Sequence, residues 1–219
     1  MSVAVVVTLT AVLLSGVAGV LCGRSVRRMR HRTTAERLLP VPPALLAWSV
    51  PAMSVVSSAM LTWWLVPDRW TWLLPMLPFS VLGAWLSAID VDVHRLPNRL
   101  LKPLAGALLL ATAVAAVIEG HPGHLVVGSV LAVAVLVGFG ILNRLQPGGT
   151  GGGDIKLMIL ISFTLGGLTG SFVTVCAAML LAGALTILGA LALRHTKAIV
   201  FGPGLYAGTV VAVLLAATS

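Results

Sequence analysis

Two carboxylates, Asp90 and Asp154, stand where an apolar stretch of the chain meets a polar one. An ionisable side chain at such a border is costly to bury and marks a functional site by default. Asp154 follows the run Gly148-Gly149-Thr150-Gly151-Gly152-Gly153 and opens the apolar stretch that begins Ile155-Lys156-Leu157. Glycines accept positive φ, so such a run can turn tightly and lie close to another backbone. The plainer reading of Asp154 is a helix N-cap, a position Asp favours. Asp90 ends a separate apolar stretch in Ile89-Asp90-Val91-Asp92-Val93-His94-Arg95-Leu96-Pro97-Asn98. Residues two apart on a helix face different sides, so only one of Asp90 and Asp92 can face Asp154. Asp90 directly continues the apolar stretch and is the candidate; Asp92 is expected to be solvated or paired with an arginine. His94 reads as an exposed loop residue. Pro97 drives its predecessor out of helical geometry, which predicts a fixed turn beneath the site.

Two carboxylates brought within a few ångströms cannot both ionise easily, so they share one proton. The charged member can then take a proton from water while the neutral one donates to a carbonyl oxygen. This is hydrolytic chemistry that needs no metal and no cofactor. Cys22 and Cys176 are far apart in apolar surroundings and suggest neither a disulfide framework nor a zinc site.

The composition says what must hold these groups. Of the 219 residues 58% are hydrophobic and only 9% charged, with a mean hydropathy of +1.07, whereas soluble domains carry about 25% charged residues. The pattern predicts an all-α, polytopic membrane helix bundle. Stretches near the roughly 20 residues a spanning helix needs occur at 3–22, 44–66, 71–89, 101–118, 124–142, 155–169, 171–193 and 199–217. The sixth is short, which would leave Asp154 near one surface. Prolines 51, 75 and 78 fall inside the second and third, where kinks are expected. The first stretch precedes its basic residues, so it reads as a retained anchor with its N-terminus outside.

With eight alternating spans, every one of the 14 Lys and Arg residues except Arg69 falls on one side. Retention of positive charge makes that side cytoplasmic. The high isoelectric point is thus a topology signal. No basic stripe interleaved with aromatics suggests nucleic acid, and anionic lipid is the partner the charge implies. Trp63, Trp64, Trp70 and Trp72 would form an interfacial belt at the opposite border. Asp90 and Asp154, two complete spans apart, would meet at the cytoplasmic border. The whole of 1–219 reads as one integral membrane domain, with residues 24–43 a short basic cytoplasmic loop.

Asp90 with Arg95-Leu96-Pro97-Asn98, then Gly151-Gly152-Gly153-Asp154-Ile155-Lys156-Leu157, then Phe201-Gly202-Pro203 together resemble the type IV prepilin peptidases. These are membrane aspartic proteases carrying the GxGD motif. The resemblance covers roughly residues 86–208. It implies an endopeptidase that removes the basic leader of type IV prepilin or pseudopilin precursors after a glycine, at the cytoplasmic border of a bacterial-type inner membrane. Carried over, Asp90 and Asp154 are the catalytic pair and Gly151 and Gly153 the motif glycines. Gly152, Lys156, Arg95, Pro97, Asn98, Gly202 and Pro203 support the site or substrate.

Larger members of that family have a cytoplasmic domain with paired cysteines after the first span, and many also methylate the new N-terminus. The loop here, Gly23-Arg24-Ser25-Val26-Arg27-Arg28-Met29-Arg30, has no cysteine, which speaks against a metal there and against methyl transfer. The basic loop could orient a substrate leader, though positive-inside anchoring explains it as well. Rival readings are a proton-coupled transporter or channel using the same carboxylates, and a non-catalytic scaffold of pilus assembly. Transport sites lie near the bilayer midplane, however, and both aspartates fall at a border.

Overall fold

The computed structural model describes residues 3–29, 31–33, 36, 44–145, 151–192 and 200–218. The fold is helical, with no strand among the described residues: α1 (Val3–Arg27), α2 (Ala44–Leu65), α3 (Leu73–Val93), α4 (Asn98–Ile118), α5 (His124–Leu145), α6 (Gly152–Thr169), α7 (Phe172–Ala192) and α8 (Gly202–Ala217). The first seven are long and apolar enough to cross a membrane, and α8 is a shorter apolar helix. The protein is therefore a multi-pass membrane bundle. Gly148, Gly149 and Thr150 of the glycine run, and Arg30, Arg37, Arg194 and Lys197 of the charge pattern, lie outside the described residues.

Apolar composition alone does not say which helix is central. Here α3 and α6 are, with 67% and 56% of their spans buried against 17–33% for the other long helices. α3 packs against α1, α2, α4 and α8, and α6 against α4, α5, α7 and α8. The outer helices turn large apolar side chains outward, such as Leu13, Val126 and Leu180, and these belong against hydrocarbon.

In a membrane, lipid tails are as apolar as leucine, so helices associate through close backbone packing at small residues. Three pairs are built that way. On α1, a methyl group added to Gly19 would lie 2.7 Å from Pro51 Cα, and one on Gly23 would lie 2.3 Å from the Ala47 carbonyl oxygen. Gly128 of α5 meets the backbone of Phe163 and Gly167 on α6, and Gly208 of α8 meets that of Ala178 and Ala182 on α7. Buried hydroxyls add hydrogen bonds: Ser58 links to Ser15 and Ser80 across three helices.

Three expectations are corrected. The sixth helix starts at Gly152, not at residue 155, so it is 18 residues long and α8, at 16, is the shortest. Glycine is tolerated in a first helical turn because the N–H groups there have no intrahelical acceptor to lose. The basic region begins later than 24, because Arg24 and Arg27 form the last turn of α1. Trp63, Trp64 and Trp70 are exposed as a belt requires, but Trp72 is only 1% exposed. The short 3-10 turn Trp70–Trp72 folds its ring inward beneath the Arg69 guanidinium, 4.8 Å away. Pro51 and Pro78 lie inside continuous helices.

The packing predicts an asymmetric glycine response. Gly208→Leu should lower the thermal midpoint in detergent, an overpacking cost of about 1–3 kcal/mol. Gly183→Leu on α7, where an added methyl meets nothing within 4 Å, should leave the midpoint unchanged.

Candidate active site

The last turn of α3 carries Asp90 into the interior, where it is 3% exposed. The helix continues to Val93, four residues past the end of the apolar stretch. His94 adopts a left-handed conformation with φ 53° and returns its N–H to the Asp90 carbonyl. Its side chain is exposed, as expected. The chain then runs through Leu96 and extended Pro97 into α4.

The carboxylate of Asp90 accepts a 2.8 Å hydrogen bond from the Gly202 N–H, and the Phe201 N–H is directed at it too. These are free donors at the start of α8. A helix N-terminus leaves such groups without intrahelical partners, and Asp90 serves as a cap supplied from another helix. Pro203 falls in the first turn of α8, where proline brings no donor of its own to satisfy. A methyl on Gly202 would lie 3.0 Å from Asp90 Oδ2, so glycine is needed for the approach.

Asp154 sits in the first turn of α6, two residues past the start, and the N-cap is Gly151. It is thus not the N-cap the plainer reading offered. The first turn of α6 packs through Gly153 on Leu96, in the turn that follows Asp90, so the two acids stand at the same end of the bundle. Oδ1 of Asp154 is buried and makes no hydrogen bond within the described residues. A methyl on Gly151 would stand 2.8 Å from Asp154 Oδ2, and one on Gly153 would stand 2.6 Å from Leu96 Cβ. Gly153 therefore seats α6 on the turn after α3. Gly152 faces open space.

Of the remaining candidates, Lys156 donates to Asn98 Oδ1 at 2.6 Å, tying α6 to the start of α4. Arg95 turns away from the acids and pairs with Glu36. Asp92 is paired, not solvated. Arg32 grips it with two hydrogen bonds, Nε at 2.9 Å and Nη2 at 2.7 Å, and His31 Nε2 lies 2.6 Å from it. The Arg32 and Asp92 side chains are 1% and 4% exposed. His31, Arg32 and Glu36 lie in the basic region that charge counting reads only as a topology anchor. The packing of Leu96 on Gly153 and the whole role of Tyr206 escaped sequence reasoning. Tyr206, one turn beyond Gly202, hydrogen-bonds Ser57 Oγ at 2.6 Å and the Ser80 carbonyl at 3.0 Å, and stacks on Phe79. A lone tyrosine in an apolar helix was the available signal. No group of three or more metal-ligating side chains occurs among the described residues.

These contacts define a class: a helical membrane protein with two acids gathered at one end of the bundle by the starts of two helices. Residues 76–188 match the Type IV leader peptidase family, and the chain belongs to that family. It is accordingly a peptidase with prepilin-type substrates in general. No curated protein matches the chain, and no solved structure does.

Two outcomes follow for the contacts around Asp92. Asp92→Ala removes the carboxylate that a buried guanidinium addresses with two hydrogen bonds and should cost about 3–5 kcal/mol of stability, read as a fall in thermal midpoint that Arg32→Met in the same chain partly restores. The hydrogen bond from Arg95 holds the Glu36 carboxyl down at about 2. Because the folded value is depressed, the Arg95–Glu36 contact contributes fully above the ordinary glutamate range and is lost as pH falls toward 2. With only Glu36 and Glu119 in the sequence, carboxyl carbon NMR of glutamate-labelled protein should show one resonance titrating that low.

Proposed function

We propose that the protein is an aspartic-type endopeptidase in which Asp90 and Asp154 together activate one water molecule to remove the leader of a prepilin or pseudopilin. The observation that carries this reading is the placement of the two acids: they lie on the two most buried spans, α6 begins against the turn that follows Asp90, and they differ in their partners. Asp90 is held by backbone donors of α8, whereas Asp154 Oδ1 has none. Such an inequality suits a division of labour. The charged member takes a proton from water as its neutral partner donates to the scissile carbonyl oxygen; as the resulting diol collapses, its hydroxyl returns a proton to that partner and the proton taken from water passes to the leaving amine.

The acids stand at the end of the bundle where the basic residues gather, among them Arg95, Arg99, Lys102 and Lys156. By the positive-inside rule this end faces the cytoplasm, in a bacterial-type inner membrane, with the N-terminus of α1 outside. The substrate's apolar helix stays in the bilayer beside α6 while its leader junction reaches the acids. A glycine at that junction allows an extended backbone to pass Gly152, which faces open space, and Gly151, which lies against the Asp154 carboxylate. Gly153 is occupied by Leu96 and serves packing. Neither a metal nor a cofactor takes part. In a single domain over 1–219, the short basic region after α1 stands in place of the larger cytoplasmic domain of longer relatives, and its lack of cysteines speaks against methyl transfer.

Detergent-solubilised protein should cleave a prepilin-like peptide bearing a glycine at the leader junction. Asp90→Asn and Asp154→Asn should each lower the rate by about 100-fold or more, the scale of general acid–base catalysis; normal cleavage by either variant would refute the dyad. Gly151→Ala provides a subtler check. Its methyl must displace the Asp154 carboxylate, so the rate should fall on the order of 100-fold with little change in thermal midpoint.

A further inference from the structure

A cavity of about 500 Å³ lies between α4 and α6, and neither Asp90 nor Asp154 is among its lining residues. Its rim carries two cations from different helices, Lys102 and Lys156, and its wall is apolar, formed by Leu101, Ala105, Ile159 and Leu160. No carboxylate lines it. Lys156 spends one N–H on Asn98, and an ammonium has three, so it retains two for another acceptor. Asp154, two residues earlier on α6, points to a different side of that helix.

The groove does not end at Ala105. Residues three, four and seven after Lys102 share its face of α4, and they are Ala105, Gly106 and Leu109. An added methyl on Gly106 meets nothing within 4 Å, and Leu109 and its neighbour Leu110 are 43% and 69% exposed. From rim to interior the surface therefore reads cation, shallow small-residue channel, then outward-facing leucine. The cations call for an anion, and the channel calls for a hydrocarbon chain attached to it. A free phosphate would satisfy the rim and leave the channel wet.

We infer that the groove between α4 and α6 is a binding site for an anionic phospholipid, its headgroup phosphate between Lys102 and Lys156 and an acyl chain along Ala105 and Gly106 toward Leu109. The occupant comes from the bilayer leaflet at the basic end of the bundle. Basic pockets between membrane helices bind anionic headgroups, and each nearby lysine contributes on a scale of about fivefold in affinity.

The test reads lipid retention, so its outcome is independent of whether the protein cleaves any peptide. Full-length protein in mild detergent is titrated with phosphatidylglycerol or phosphatidylcholine of matched chains and examined by native mass spectrometry. Phosphatidylglycerol should be retained preferentially; Lys102→Gln should weaken that retention about fivefold, and Lys102→Arg should preserve it. Arg69→Gln, at the opposite end, should change nothing, and thermal midpoints establish that each variant is folded. Equal retention of the two lipids, or retention indifferent to Lys102→Gln in a folded variant, overturns the assignment. So does displacement of phosphatidylglycerol by glycerol phosphate at equal concentration, which would make the groove a site for the phosphate alone.

Discussion

A carboxylate can be buried at the edge of a membrane only if donors are waiting for it, and for Asp90 those donors are the backbone N–H groups that open α8. The arrangement satisfies two needs at once. The start of α8 has N–H groups that no helical carbonyl can reach, and Asp90 has a charge that no lipid can solvate. Asp154 stands likewise in the first turn of α6. Each acid therefore sits at the positive end of a helix dipole. Three helices are fixed by this at one end of the bundle: α3 supplies one acid, α6 the other, and α8 the donors.

Much of the remaining structure holds those three helices in register. Tyr206 lies one helical turn from Gly202, and its hydroxyl reaches Ser57 on α2 and the Ser80 carbonyl on α3. Its ring occupies the space that Gly83 leaves, since a methyl there would stand 2.8 Å from the ring. The position of the Gly202 N–H is therefore determined by contacts deeper in the bundle as well as by Asp90. On the opposite flank, Gly153 rests on Leu96 and Lys156 on Asn98, so the turn after α3 is a seat for α6. Pro97 matters here because it holds that turn extended.

The helical membrane class was legible because it rests on composition and on the lengths of the apolar stretches. The start of α6 was not, since glycine signals freedom in sequence, whereas Gly153 packs against Leu96 at the head of that helix. Nor could charge counting separate residues that merely orient the chain from those that grip it. Arg32 and His31 bind Asp92, and Arg95 binds Glu36, across some 60 residues of sequence. Trp72 misled because an aromatic near a span end reads as interfacial whichever way a short turn directs it. One quantitative signal was present. The central helices α3 and α6 have mean hydropathies of 1.6 and 1.2, whereas α5, with 17% of its span buried, has 2.7. A helix surrounded by protein is free of the demand to be uniformly apolar, so low hydropathy in a long span points inward, although α2 at 1.6 and 28% buried shows that the signal is incomplete.

The family match ends at residue 188, before α8 begins, and starts at 76, after the segment that contains Arg32. Physical reasoning extends the site at both ends. Without α8, Asp90 would be a buried carboxylate lacking its backbone donors, and the cost of that burial would fall on the fold. Without Arg32 and His31, Asp92 would present a third negative charge within one turn of Asp90. Two acids that share a proton can tolerate each other; a third, unneutralised, would favour protonating both members of the pair and leave none to accept a proton from water. In the proposed mechanism, pairing Asp92 with a residue more than 50 positions away isolates Asp90 and Asp154 electrostatically, and it gives the short basic region a role in that site which its composition alone does not disclose.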